Sequence, residues 1–339
     1  MALTRPTSAE IPPPEGPPPP PRRRRRRWVT VLVALPVLAL LGLTILRLSG
    51  QDGNRFTAAA LALTPYIAAG GLVITLFALV LGRRLQSLLA LVLSISLGIV
   101  LTPRVLPDGG SLPDGQHVRV MTANLRLGLA DPAALVRLVR DARVDVLALQ
   151  ELTPAAVSAL DRAGIADLLP NRVLRPKAGG EGGGILAKVP LRQIVLVPER
   201  SRFEMPAAVL DLSGSQDLEV VSVHTVPPVG SEVDRAQWQR ELAAFPSPDG
   251  RARPRVLVGD FNATLDHASF TQLIDRGYSD AAEVTGEALR PTWSQWPVGP
   301  PVTLDHVLFD RRLGAASAAV YDLPGSDHNV LFTDLVLPR

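Results

Sequence analysis

Acids, amides and histidines recur at one kind of place in this chain, directly after a run of apolar residues. Asn124 follows Val-Met-Thr-Ala, Gln150 and Glu151 follow Val-Leu-Ala-Leu, and His224 follows Val-Val-Ser-Val. Asp260 and Asn262 close Val-Leu-Val-Gly-Asp-Phe-Asn, Asp305 sits in Thr-Leu-Asp-His-Val-Leu-Phe, and Ser326, Asp327 and His328 precede the last apolar run. An acid at such a place is costly unless something pairs with it, and ligands of open α/β sheets gather at strand ends. Carboxylates and imidazoles are also the groups that move protons near neutral pH. The chain has no cysteine, which excludes disulfides, thiolate chemistry and cysteine-ligated zinc or iron–sulfur centres.

Each position has a plainer alternative. Asn124 could be a strand-end turn residue, Glu151 and Asp260 could cap a helix or turn, His224 could be structural, and His328 could be a surface histidine. His306 neighbours Asp305 on one strand and so faces the other way; it is read as structural. His117 and His267 have no evident partner in the sequence.

The elements that must position these residues are short. Strands are expected over 118–123, 144–150, 184–188, 193–198, 207–212, 218–223, 256–259, 304–309, 316–321 and 330–336. Asp131-Pro132 and Thr153-Pro154 each open a helix, with a cap residue followed by proline at the first helical position. Further helices are expected over 232–245 and 268–276. Such a mixture is α/β, and it fits two packed sheets with helices outside.

The front third is different. Residues 12–21 are nearly all proline and residues 22–27 are arginines, so 1–27 reads as a disordered tail that buries too little to offset its ordering entropy. Residues 28–46, 56–82 and 85–101 carry no charge over 19, 27 and 17 positions, where a spanning helix needs about 20. Three transmembrane helices are therefore expected over 28–101. A linker over 102–116, with Pro103, Pro107, Pro113 and a Gly-Gly pair, would join them to a domain over 117–339. A hydrophobic content of 47% and a mean hydropathy of +0.20 agree with a membrane protein.

Positive charge sets orientation. The arginine run and the Arg83-Arg84 pair fall on one side of a three-span arrangement, the cytoplasmic one, and the rear domain then lies outside. The net charge of +3 divides unevenly. Residues 1–111 hold 12 Lys/Arg against 4 Asp/Glu, and residues 112–339 hold 23 against 28. The mildly acidic rear domain has no global electrostatic reason to hold a long polyanion. The arginine run reads as a topology signal and a lipid-headgroup contact.

Taken in order, Leu149-Gln150-Glu151, the glycine-rich stretch 182–191, Gly259-Asp260-Phe261-Asn262 and Ser326-Asp327-His328 resemble the endonuclease/exonuclease/phosphatase (DNase I-like) superfamily. The resemblance covers roughly 117–339. It implies a four-layer sandwich of two mixed β-sheets flanked by helices. It also implies a divalent ion, Mg²⁺ or Mn²⁺ in its place, with Glu151 as main ligand and Asn124 and Asp327 near it. His328 is then the catalytic histidine and Asp305 holds its other nitrogen. Asp260 orients or deprotonates the attacking water, while Asn262 and His224 donate to phosphate oxygens. The chain departs from the pattern at Arg126, where many nucleases of the family carry an acid, and at His306, where tyrosine is common. It is also short for the insertions that grip a duplex. A branch with three helices and an outward-facing domain, linked to teicoplanin-type resistance, has a similar layout.

The expected function is metal-dependent hydrolysis of a phosphoester or pyrophosphate by water, at an extracytoplasmic site. Its partners would be the lipid bilayer and a phosphorylated lipid. The alternatives are a surface nuclease acting on extracellular nucleic acid and a non-catalytic phospholipid sensor. The complete His328, Asp305 and Asp260 set speaks against the sensor.

Overall fold

Val118 and Val120 of strand β1 (Gly115–Asn124) face one core, and Met121 and Ala123 face another, as a period of two requires. The computed structural model describes residues 22–197, 201–212, 217–294 and 299–339. Its remaining strands are β2 (Val146–Gln150), β3 (Asn171–Arg175), β4 (Gly183–Ala187), β5 (Leu191–Ile194), β6 (Ala207–Leu210), β7 (Leu218–His224), β8 (Arg255–Asp260), β9 (Tyr278–Asp280), β10 (Asp305–Asp310), β11 (Gly314–Tyr321) and β12 (Val330–Pro338). One mixed sheet runs β11-β12-β1-β2-β4-β3 and the other β5-β6-β7-β8-β10-β9.

The helices are α1 (Arg22–Leu48), α2 (Arg55–Leu61), α3 (Thr64–Val80), α4 (Arg84–Leu101), α5 (Pro132–Asp141), α6 (Pro154–Arg162), α7 (Ile165–Leu168), α8 (Glu232–Ala244), α9 (Ala268–Asp275) and α10 (Ala281–Val284). Three cores make four layers. Val120 and Ala148 meet Val220, Val258 and Val307 between the sheets. Leu147 and Leu149 meet Leu135, Val139 and Leu160 of α5 and α6 on one outer face. Val223 and Leu257 meet Trp238, Leu242 and Phe270 of α8 and α9 on the other.

The expected helix starts are present. Asp131 Oδ1 accepts from Ala133 N and Ala134 N, and Thr153 Oγ1 accepts from Ala156 N. Differences lie at the margins. β1 begins inside the stretch read as linker, and β3, β9, α7 and α10 had no clear signal. The expected strand 193–198, whose last residue is outside the described ones, shortens to β5. Leu196 and Val197 beyond it pack on the α8–α9 core instead of extending a ladder.

At the front, α1 takes in the arginine run, while residues 1–21 of the expected tail lie outside the described residues. α1 and α4 are each long and apolar enough to cross a membrane. The middle stretch, expected as one helix, is two, since α2 and α3 meet at a bend of 74° and make a third span only as a pair. Pro65 explains the break. It has no N–H for the carbonyl of Leu61, and its ring would clash there in a continuous helix. Thr64 Oγ1 donates to that carbonyl instead, at 2.6 Å. Within the bundle, a Cβ on Gly71 would fall 2.1 Å from Ser94 Oγ. A side chain there would have to displace Ser94 of α4 and Leu40 of α1, so glycine suits this crossing.

The apolar front helices are fastened to the sandwich by polar contacts at one end of their bundle. Asp266 takes Arg104 at 2.6 Å, from the turn after α4, and Arg47 at 2.7 Å, from the end of α1. Asp52, in the α1–α2 loop, accepts from Ala268 N and Ser269 N at 2.6 and 3.0 Å. It thereby caps α9, whose own N-cap residue His267 makes no side-chain cap bond. His267 Nδ1 accepts from Thr264 N, so its Nε2 carries the proton and donates to Ala58 O at 2.9 Å. Burial pushes the Asp266 carboxyl up, but Arg104 and Arg47 outweigh it and hold the group below the usual range. Asp266→Ala strands two arginines, one of them buried, and is expected to destabilise the protein by about 3–5 kcal/mol. A denaturant midpoint measured in detergent checks this. A loss below ~1 kcal/mol would mean that water replaces the carboxylate.

Candidate active site

The two sheets present their strand ends side by side. β1 and β2 run parallel with Asn124 beside Gln150, and β7 and β8 run parallel with His224 beside Asp260. β10 lies antiparallel to β8 with Asp305 beside Asp260. Gln150 bridges the sheets from beneath. Its Oε1 accepts from Thr122 Oγ1 at 3.0 Å, and its Nε2 donates to Ser222 Oγ at 3.1 Å. Gly259 permits this contact. It sits at φ +149°, and a Cβ there would lie 2.1 Å from Val223 O and 2.8 Å from Gln150 Nε2.

All the candidate residues converge. Asn124 Nδ2 donates to Asp260 Oδ2 at 3.1 Å and to Glu151 Oε1 at 3.3 Å. Asp260 Oδ2 stands 3.7 Å from Nε2 of both His224 and His328. His328 Nδ1 lies 2.8 Å from Asp305 Oδ2. Glu151, His224, Asp260, Asn262, Asp327 and His328 face one pocket of about 450 Å³. Asp327 Oδ1 is 3.9 Å from Arg126 Nε.

Backbone strain is concentrated here. Five non-glycine residues among those described have positive φ, and four of them, Arg126, Leu127, Glu151 and Asn262, belong to this site. Such conformations cost on the order of 1–3 kcal/mol each and persist only where neighbours over-determine them. The site's own side chains do so. Arg126 N donates to Asn124 Oδ1 at 3.0 Å, Leu127 N to Glu151 Oε2 at 2.6 Å, and Asn262 N to Asp260 Oδ1 at 2.8 Å.

The electrostatics separate three roles. Burial and repulsion from His328 push His224 down to about 3, so it is a neutral ring. Burial opposes charge on His328, yet Asp305 and Asp260 outweigh it and raise the group to about 10. Burial pushes Asp260 up to about 7, with His328 opposing and Asp305 assisting. A charged imidazole beside a carboxyl poised near neutrality can give and take protons at one bound group. Asp260, Asp305 and His328 have ligand atoms within 4.8 Å of one another. A metal there would have to displace the Nε2 proton that Asp305 and Asp260 hold on His328. Proton transfer suits these three better. The hard-oxygen donors suited to a divalent ion are on Glu151 and Asp327 at the pocket wall. Asn124 faces the carboxylates with its amide nitrogen, because its oxygen is held by Arg126 N; ligation through that oxygen would require the amide to turn.

Several supporting residues were not foreseen. Thr292 Oγ1 accepts from Leu304 N and Asp305 N, both at 2.9 Å, and so fixes where Asp305 begins its strand. Phe203 stacks on His224 with centroids 4.0 Å apart and planes 6° apart. Trp293 lines the pocket and pairs through its backbone with His328. Nothing in sequence spacing marks these three. His306, as expected, faces away, with Nδ1 at 2.8 Å from Asp280 and Nε2 at 3.0 Å from Ala263 O. His117 finds Asp334 at 2.9 Å on the surface.

Residues 121–328 match the profile of the endonuclease/exonuclease/phosphatase family. The chain belongs to that family, whose members are hydrolases acting on phosphate esters. Solved structures agree on the fold. An endonuclease/exonuclease/phosphatase from Beutenbergia cavernae is 18% identical, with 66% of this chain and 72% of that one covered and a TM-score of 0.52. A humanized D. rerio TDP2 is also 18% identical, with 65% and 98% covered and a TM-score of 0.52. No curated protein matches the sequence significantly.

Proposed function

We propose that the protein is a divalent-metal-dependent phosphoesterase that cleaves a phosphoester or pyrophosphate carried by a membrane lipid, at a site outside the cytoplasm. One observation carries this reading. The pocket that holds Glu151, Asp260 and His328 is walled on one side by Ala58, Ala59, Ala62 and Leu63 of the membrane segment. A site built partly from the bend between α2 and α3 meets its substrate at the membrane surface.

On this reading Glu151, with Asn124 and Asp327, holds Mg²⁺ or Mn²⁺, which when bound offsets charge on the phosphate. Asp260 accepts the proton of the attacking water. His328, positioned by Asp305, stabilises the charge that builds up and supplies the leaving group's proton. Asn262 and His224 donate to phosphate oxygens. Asn262 Nδ2 donates one hydrogen to Thr225 O at 2.8 Å, which fixes the amide and leaves its second N–H for the phosphate. The orientation has its own support. Arg47, Tyr66 and Arg104 touch the sandwich from the end of α1, the start of α3 and the turn after α4. The arginine run and Arg83-Arg84 belong to the opposite end of the bundle, which basic residues mark as cytoplasmic.

The test uses purified full-length protein in detergent with Mg²⁺, offered a polyprenyl pyrophosphate or supercoiled plasmid. Phosphate release with intact plasmid is the expected result. Plasmid nicking without phosphate release would replace the lipid reading with a nuclease. Arg251→Cys gives a unique thiol on an exposed turn. It should react with an impermeant maleimide on intact cells; labelling only after lysis would overturn the outward orientation.

A further inference from the structure

Next to the catalytic pocket lies a second cavity of about 330 Å³, and Ala62 and Val302 line both. One wall is Ala62, Pro65, Tyr66 and Ala69. Pro65 and Ala69 stand four apart on one face of α3 with Tyr66 beside them, and Ala62 lies at the bend that precedes the helix. The facing wall includes Leu265, Leu289, Pro291 and Pro301 of the sandwich. The charged groups that also line it are paired, Arg104 with Asp266 at 2.6 Å and His306 with Asp280 at 2.8 Å. What remains is an apolar cleft with a membrane helix as one side and the phosphate-handling residues around the corner.

We propose that this cleft takes the hydrocarbon chain of the lipid phosphate whose headgroup occupies the catalytic pocket. The proposal rests on the phosphoesterase reading and adds where the substrate's tail runs. The cleft's position supports that occupant. Beyond Ala69, α3 carries exposed Leu72, Val73 and Leu76, so a chain running along that helix stays on apolar side chains as far as the cleft. Its volume is at the low end of small-molecule pockets, ~300–1,000 Å³. That is room for part of one chain, not for a pair.

The first test is a series of monomeric phosphate esters from butyl to octyl with full-length protein and Mg²⁺. Burying a methylene is worth roughly fourfold in binding at full transfer, so kcat/KM should rise at least ~10-fold across the series. Ala69→Trp fills the cleft, and the rise, normalised to each protein's own butyl value, should flatten to under ~3-fold. An equally steep rise in the variant, or a flat series in a wild type that hydrolyses the esters, overturns the cleft. A second readout does not need turnover. A dodecyl phosphonate with a terminal diazirine should label residues lining the cleft, and a single-chain lipid phosphate should compete where diacylglycerol phosphate does not. Labelling spread evenly over the outer faces of α1, α3 and α4, or the reverse competition, overturns the assignment. Cleft labelling in a protein that hydrolyses no ester would sink the phosphoesterase reading and leave the chain site standing.

Discussion

His328→Ala is expected to lower kcat by about 10²–10⁴-fold, with KM changed only a few-fold. The geometry leaves no substitute. His328 is the imidazole with one nitrogen held by an acid at 2.8 Å and the other turned toward Asp260. The nearby ring, His224, is held down to about 3, so near neutral pH it is uncharged and holds no acidic second proton to give. Asp305→Asn tests the same unit from behind. It keeps the volume but can present an N–H to Nδ1, favouring the wrong tautomer. A large loss of kcat is therefore expected there too, and the double variant should be little worse than either single one. Steady-state kinetics on a soluble phosphodiester gives these values, and thermal unfolding shows whether the fold is intact. A His328→Ala enzyme with wild-type kcat would remove the histidine from the reaction.

The strand ends were legible because two constraints coincide there. A buried strand needs an unbroken apolar run, and a polar side chain straight after it must find a partner. Asn124, Glu151, His224 and Asp260 all satisfy both, and each ends at the same edge of the sandwich. β3 escaped because Arg172 and Arg175 interrupt its pattern, and its pairing to β4 comes from the neighbour's needs. Thr292 and Phe203 escaped for a different reason. Their roles exist only once a loop is folded against Asp305 or His224, and no periodicity records that. The same holds for Asp52, an acid in a short loop that caps a helix 216 residues later.

The middle apolar stretch shows how a correct local signal can be given too little weight. Pro65 was visible, and membrane helices tolerate proline, so the run reads naturally as one span. In the structure Pro65 and Thr64 turn it through a bend, and the turned portion reaches the catalytic pocket. Length and apolarity recognise a membrane segment but say nothing of which residues within it touch a folded domain. That explains why the metal and acid–base candidates could be named from sequence, while the pocket's alanine wall could not.

Glu151→Gln is expected to weaken metal affinity by at least ~100-fold and to lower kcat/KM by about 10³-fold at ordinary Mg²⁺, since an ion's charge stabilisation is worth several kcal/mol. The substitution is nearly isosteric, so its effect is chemical. Glutamine can keep one oxygen on Leu127 N, where Glu151 Oε2 now accepts at 2.6 Å. Its NH₂ would then face Asn124 Nδ2, which now donates to Oε1, setting donor against donor and removing the carboxylate. Raising Mg²⁺ or supplying Mn²⁺ should restore part of the activity. The readout is the metal concentration at half-maximal rate. If that midpoint stays at the wild-type value, the ion does not sit on Glu151. Among the described residues the other buried set is Asp260, Asp305 and His328, with ligand atoms within 4.8 Å, and Asp260→Asn would then be the variant that shifts it. The two substitutions therefore separate a metal on the pocket wall from a metal among the groups assigned here to moving protons.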